Sequence, residues 1–397
     1  MHPEAGLLEV SARSVQARAA RAGVLSLVLL ACGHFCIDLY SSALGALQPL
    51  LVSRYGLSLT QAGVLGGLLV FSSSVMQPVY GYLSDRFHTR LFSVLAPAVA
   101  GVFISLLGLA PGFGWLLLMV FLGGAGVASF HPQASARAAQ SVSDRRGRAM
   151  SIFISAGTLG MALGPAYFSA IIGLLGLQQA YWAAAPGVLI AVLLIGLLPG
   201  SPAATAERRP HDWGALQAVW KPLTVLYFLV FIRSILQITY AQFLPLYLHL
   251  ERGLTVARAS YTLTLYLACG ALGGFVGGYL ADRFGGRTVI LASMLGSTPL
   301  LALFFLADGW GSLIGLAAGG FMLLFTIPVN VVMAQELVPS QAGTVSALMM
   351  GFSWGMAGLV FIPLTGWLSD LLSLHAVLAS LLVFPVVGFL LALKLPK

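Results

Sequence analysis

Charge is what this chain lacks. Asp, Glu, Lys and Arg make up only 8% of its 397 residues, against about 25% in soluble domains. So few charged side chains cannot cover a water-facing surface of that size, which excludes a soluble globular fold. The net charge of +8 has no folded soluble face on which to gather as a nucleic-acid footprint, so no nucleic-acid partner is expected. Cysteine is scarce as well. Cys32, Cys36 and Cys269 all fall inside apolar runs, and no disulfide framework is implied. Enzyme signatures are missing too: there is no H-E-x-x-H, no nucleophile set beside a base and no phosphate-cradling loop before a lysine. An enzyme, a catalytic residue, a cofactor and a metal site are therefore not expected. Cys32 and Cys36 beside His34 and Asp38 do not form a ligand set, because a two-residue step turns a helix by about 200° and points the two pairs apart.

What fills the chain is apolar: 59% of its residues are hydrophobic. Runs long enough to cross a bilayer predict twelve helices, near 23–52, 60–84, 90–110, 114–138, 147–174, 180–199, 222–249, 258–281, 288–307, 312–335, 341–369 and 373–394. Basic residues alternate between their ends. Arg13, Arg18 and Arg21 precede helix 1, Arg86 and Arg90 follow helix 2, Arg137 and Arg148 follow helix 4, and Arg208, Arg209 and Lys221 follow helix 6. Arg283 and Arg287 follow helix 8, and Lys394 and Lys397 close the chain, while the alternate loops hold only Arg54, Arg252 and Arg258. By the positive-inside rule both termini face the cytoplasm. The first apolar run exceeds the roughly 7–15 residues of a signal-peptide core, so it is expected to stay as a helix.

The segment GYLSDRFHTR at Gly81–Arg90 recurs as GYLADRFGGR at Gly278–Arg287, about half a chain later. Gln48-Pro49 in helix 1 is answered by Leu244-Pro245 in helix 7. The expected fold class is thus an all-α membrane protein with twelve transmembrane helices in two pseudo-symmetric six-helix bundles. The expected boundaries are a cytoplasmic segment over 1–22, bundles over 23–199 and 222–397, and a polar linker over 200–221. Parallel repeats of this kind are one signature of secondary transporters, whose substrate sites lie near midplane between the halves.

The repeated G-x-L-x-D-R-x-x-x-R pattern resembles the signature loop of the major facilitator superfamily. Four further stretches resemble its fosmidomycin resistance branch: His34 with Asp38 and Pro49, QPVYGYLSDR at Gln77–Arg86, SFHPQASAR at Ser129–Arg137 running on to Ser151–Phe153, and QELVPSQAGTVSALMMGFSWGMAGL at Gln335–Leu359. The resemblance covers nearly the whole chain. It implies a multi-pass protein of the bacterial inner membrane, a monomer in a lipid bilayer, working by alternating access on a small solute and protons. Two positions depart from the branch. The acidic residue that commonly follows His-Pro is here Gln133, and the polar amides of helix 5 are replaced about where Ile154 and Thr158 stand.

Against this apolar background the ionisable residues stand out. Asp38 lies near the middle of helix 1, where a carboxylate costs roughly 2.5–3.5 kcal/mol to insert. His34 is one turn away and shares its face. Arg233, halfway along helix 7, is the repeat's counterpart of Asp38. Two readings stand for the acid and the base. They form a structural ion pair between the halves, or Arg233 receives an anionic substrate group and competes for Asp38 while Asp38 exchanges a proton. A carboxylate's proton affinity depends on desolvation and on a nearby guanidinium, so separating or joining the two would switch it. His131 precedes the kinking Pro132 in helix 4. Its ring either relays protons and binds substrate or satisfies carbonyls freed around the kink.

Gln48, Gln77, Gln133, Gln237, Tyr240 and Gln242 are candidates to line a central cavity. At the cytoplasmic side Gly81, Asp85, Arg86 and Arg90 repeat as Gly278, Asp282, Arg283 and Arg287. Asp85 is expected to face the start of helix 11 near Ser340, and Asp282 the start of helix 5 near Gly147–Ser151, each carboxylate favoured by a helix N-terminus. The resemblance implies that this arrangement closes a cytoplasmic gate, with Arg137 and Glu336 as a further gate pair. Gly157, Gly160 and Gly164 before Pro165 allow close helix packing and resemble the glycine-proline motif of the superfamily's antiporters. Proton-coupled efflux of a small anionic or amphipathic solute is the leading expectation. Proton-coupled uptake or export of a physiological metabolite is the alternative, with a non-transporting receptor more remote.

Overall fold

A computed structural model describes residues 3–87, 89–141, 146–198 and 213–395. Among them the regular structure is all helical, with twelve spans long and apolar enough to cross a membrane. We number these α1 (Arg21–Tyr55), α2 (Leu59–Ser84), α3 (Leu91–Leu109), α4 (Phe113–Ser141), α5 (Gly147–Leu175), α6 (Leu177–Leu197), α7 (Trp220–Leu250), α8 (Val256–Phe284), α9 (Gly286–Leu306), α10 (Gly309–Leu337), α11 (Pro339–Leu371) and α12 (Leu374–Ala392). Each lies within a few residues of its expectation. The ends follow local chemistry. Gly56 stops α1 in the left-handed region at φ 60°, and Ser58 with Gln61 forms a capping box for α2. Thr255 and Ser373 cap α8 and α12 with their hydroxyls. A short helix over Trp213–Ala218 occupies the end of the expected linker, most of which lies outside the described residues.

Packing follows the sequence repeat. One buried cluster draws only on residues between Leu27 and Leu198, and another only on residues between Leu223 and Leu395. A third mixes Ala62 and Ala162 with residues from Ile235 to Leu381, which marks where the halves meet. The repeat is visible in individual bonds. Tyr40 on α1 donates to the Ala183 carbonyl of α6 at 3.0 Å, and Tyr240 on α7 donates to the Leu378 carbonyl of α12 at 3.1 Å. Arg90 donates to the carbonyls of Ile195 and Leu198 beyond α6, as Arg287 does to Leu393 beyond α12. Each arginine satisfies late carbonyls of the sixth helix of its own half.

The halves touch mainly along α1 with α7, α2 with α11 and α5 with α8, with further contacts between α1 and α8 and between α2 and α7. Glycines make the approach possible. Gly45 faces the Ala241 carbonyl, and a Cβ on Gly63 would lie 2.8 Å from the Ile362 carbonyl and 3.3 Å from the Gly366 Cα. At the end of the bundle away from the termini, Asp370 of α11 reaches across to α2. Its two carboxylate oxygens accept from the Leu59 and Thr60 amides at 2.9 and 2.8 Å and from the Thr60 hydroxyl at 2.6 Å. Both partners of this pair carry π-helical turns, Phe71–Val75 in α2 and Ala347–Phe352 in α11.

Candidate functional site

Asp38 sits on α1, buried, with His34 one turn before it. Two imidazoles converge on its carboxylate. His34 Nε2 lies 3.3 Å from Oδ2, and His131 Nε2, from α4, lies 3.6 Å from Oδ1. The opposite ring nitrogens are both committed. His34 Nδ1 is 2.8 Å from the Phe153 carbonyl of α5, and His131 Nδ1 is 2.9 Å from the Val127 carbonyl. A carbonyl oxygen only accepts, so each Nδ1 carries the hydrogen. On one ring of the pair, that of His131, Nδ1 serves the Val127 backbone carbonyl and Nε2 addresses the acid.

Aromatic rings and a missing side chain shape the site. Phe153 stacks on His34 at 4.2 Å, and Phe130 lies behind it at 6.3 Å. Gly157 of α5 closes the other side: a Cβ there would come within 2.5 Å of His34 Nε2 and 2.6 Å of Asp38 Oδ2. Gly160 and Gly164 continue the stripe against the backbone carbonyls of Phe35 and Leu39. The glycine motif thus seats α5 on α1 and leaves room for the ionisable cluster.

Arg233 on α7 is buried at 4% exposure, but it does not pair with Asp38. It donates to Gln237 Oε1 and lies over the Trp354 ring of α11 at 5.6 Å. Its Nε has no acceptor, and neither does the buried hydroxyl of Tyr266 on α8 nearby. Of the two expected roles, the direct structural ion pair is not formed here. Asp38 and Arg233 stand seven and eight residues before the Gly45–Ala241 crossing, at similar depth, and each is held within its own half.

The amide candidates divide by partner. Gln48 donates to the Ala62 carbonyl at 3.0 Å, Gln77 to Ser73 within its own helix at 2.9 Å, and Gln133 to Thr89 at 2.8 Å. Gln242 packs on Gly66 across the halves. Gln237 serves Arg233, and Tyr240 ties α7 to α12. Ile154 is exposed and Thr158 half-buried on α5.

The expected cytoplasmic gate is described only in part, because the side chain of Asp85 lies outside the described residues. Asp282, Arg283 and Glu336 are exposed, and no ion pair joins Glu336 to Arg137. Arg86 is exposed and donates only to Tyr82, one turn back, at 3.5 Å. Gly81 and Gly278 approach Pro132 and Pro328, equivalent prolines of α4 and α10, at 3.5 and 3.6 Å. Arg90 and Arg287 are bound within their halves, as described above.

Sequence reasoning missed Asp370, because its partners lie more than 300 residues away. It also missed Glu251, whose carboxylate caps α12 at the Leu374 and His375 amides at 2.6 and 2.8 Å. Their one sequence signal is an acid at the end of an apolar helix in a chain with few acids. Arg252, expected only as a loop charge, bonds Asp308 at 2.8 Å, Tyr247 at 2.7 Å and the Phe304, Phe305 and Ala307 carbonyls.

Known proteins share both the sequence and the architecture. The chain is 30% identical over 378 residues to the fosmidomycin resistance protein of Escherichia coli (strain K12), covering 93% of this chain and 91% of that protein. It is 32% identical over 382 residues to the MFS-type transporter YfnC of Bacillus subtilis (strain 168), covering 94% and 92%. A bacterial homolog of the human lysosomal transporter Spinster, solved in an inward-facing and unoccupied conformation, superposes with a TM-score of 0.78 at 16% identity, over 94% of this chain and 96% of that one. The family model described as Major Facilitator Superfamily matches residues 30–262 and again 226–397. Twelve spans in two equivalent bundles, an ionisable cluster at depth and these matches agree: the chain belongs to the major facilitator superfamily.

Proposed function

We propose that this protein exports a small anionic or amphipathic solute in exchange for protons, by alternating access. The observation that carries the reading is the buried triad of Asp38, His34 and His131. Three ionisable groups inside the hydrocarbon region are costly and serve no evident structural need, and they hold or release a proton as their surroundings change. Arg233 supplies the second half of the scheme. A buried guanidinium with only a neutral partner leaves its charge uncompensated, and an anionic group on the solute would compensate it. The fosmidomycin resistance relative and the glycine-proline stripe of α5 favour export.

The basic loops orient both termini toward the cytoplasm of a bacterial inner membrane. In that orientation the Asp370 contact closes the outer face. The protein works as a monomer, with bundles over 23–199 and 222–397. The test is proton movement in proteoliposomes on adding candidate solutes, starting with fosmidomycin. Proton-for-solute exchange acidifies the compartment that loses solute. Alkalinisation there would contradict export by exchange, and an unchanged coupled flux in Asp38→Asn would remove the triad from the mechanism.

A further inference from the structure

We propose that His34 Nε2, His131 Nε2 and the Asp38 carboxylate bind a divalent transition-metal ion of the Zn2+ class, and that its occupancy arrests transport. The inference deepens the proposed function by naming a regulator of the same site, and its second clause rests on that reading. Tautomer geometry is the first support. With both Nδ1 atoms bonded to backbone carbonyls at 2.8 and 2.9 Å, a neutral ring turns its Nε2 lone pair toward the carboxylate. Two such lone pairs and a carboxylate repel one another unless positive charge lies between them. Metal-binding histidines show the same outer bond, a ring N–H held by a carbonyl or carboxylate that fixes the tautomer.

Spacing is the second support. A four-coordinate ion with bonds of about 2.0–2.1 Å sets its ligand atoms roughly 3.3 Å apart along a tetrahedral edge. His34 Nε2 lies 3.3 Å from Oδ2 and His131 Nε2 3.6 Å from Oδ1, each on a different carboxylate oxygen, and one ligand atom from each residue lies within 4.8 Å of the others, so the set would draw together slightly around an ion. A direct charged N–H···O bond would be shorter, about 2.7–2.9 Å. Two imidazoles with one carboxylate suit Zn2+, Co2+ or Ni2+ and disfavour Mg2+ and Ca2+, which take oxygen ligands.

Access and enclosure complete the case. The His131 side chain is 25% exposed while that of Asp38 is 11% exposed, so an ion can enter past His131 and come to rest beside the buried carboxylate. Gly157 leaves the space free, and a methyl there would lie 2.5 Å from His34 Nε2. The ligands come from two helices, α1 and α4, with α5 supplying the outer carbonyl at Phe153. Both helices belong to the N-terminal half, so a bound ion would arrest the cycle at its proton step, by occupying the carboxylate and both Nε2 atoms that the proposed exchange needs.

The test uses the full chain, purified in detergent with any affinity tag removed, titrated with Co2+ alone and then with Zn2+. The expected result is visible ligand-field absorption of low-symmetry Co2+ at one equivalent, displaced by Zn2+. Asp38→Asn, His34→Gln and His131→Gln should each weaken binding by at least the ~10–100-fold that losing an outer-shell partner costs. Gly157→Ala, outside the ligand set, guards against variants that fail to fold. It should stay monodisperse, since the atoms nearest the added methyl belong to the His34 and Asp38 side chains, yet bind at least tenfold more weakly. Binding that survives in all four variants, as it would at His249 or His375, overturns the site. Absence of Co2+ binding while Asp38→Asn still abolishes proton flux overturns the metal site and leaves the coupling reading intact. In proteoliposomes, Zn2+ should arrest solute flux in the wild-type chain, and flux untouched by saturating Zn2+ overturns the second clause alone.

Discussion

Two buried ionisable side chains are each held by partners that a pairwise reading of the sequence would not assign. Asp38 and Arg233 are at matching depths, yet the acid is met by imidazoles and the guanidinium by an amide and an indole. This predicts opposite behaviour on substitution. Arg233→Met should leave thermal stability unchanged or raise it by about 1–4 kcal/mol, since replacing buried charge with well-packed apolar bulk is often stabilising. Solute binding should fall at least tenfold in the same variant. A melting curve and a binding isotherm on one preparation check both. For His131→Gln we expect coupled proton flux to fall at least tenfold while the purified chain stays monodisperse. The pairing of His34 with Asp38 was legible from their four-residue spacing. His131 was legible as a candidate for the same site, but its approach to Asp38 was not, because that depends on how α4 docks against α1. The unmatched state of Arg233 was not legible at all: sequence gives depth along a helix but not the partner across it.

Helix pairs set what the protein can do mechanically. On α2 and α11, Asp370 caps the first amides of α2 from the other half, and each helix carries a π-helical turn, a feature frequent at functional sites. A carboxylate at a helix N-terminus contributes about 0.3–1 kcal/mol at an exposed position. Asp370→Asn should therefore shift the balance between closed and open outer faces by about two- to fivefold toward open. Distances between spin labels on the α1–α2 and α11–α12 loops would report it. The close approach of α5 to α1 gives a stability prediction. Gly160→Val drives a branched side chain into the Phe35 carbonyl and should cost about 1–3 kcal/mol, typical of overpacking, read as a lower melting temperature. Span limits were legible because apolar runs end at caps such as Gly56 and Ser58. The Asp370 contact was not, since it joins the end of one half to the beginning of the other.

Across the full bundle, the duplication legible in two ten-residue segments extends into packing, where Tyr40 and Tyr240, and Arg90 and Arg287, play matching parts. The two arginines also show why a motif shared with a gate does not reveal which bond it makes in one conformation. Orientation has its own prediction. Leu372, 70% exposed beyond α11, and Phe87, 62% exposed beyond α2, should label from opposite faces when each is replaced by cysteine in a background with Cys32, Cys36 and Cys269 changed to serine. On intact cells an impermeant maleimide should reach Leu372→Cys and spare Phe87→Cys, and the reverse pattern would invert the topology. The contact between α2 and α11 has one further consequence. Where Gly63 meets Gly366 backbone lies on backbone, but along the same pair the Pro363 ring sits over Gly67 and Val70 over Gly358. Parting α2 from α11 would draw each of these pegs from its socket, so the glycines that let the halves come close also set the resistance to separating them.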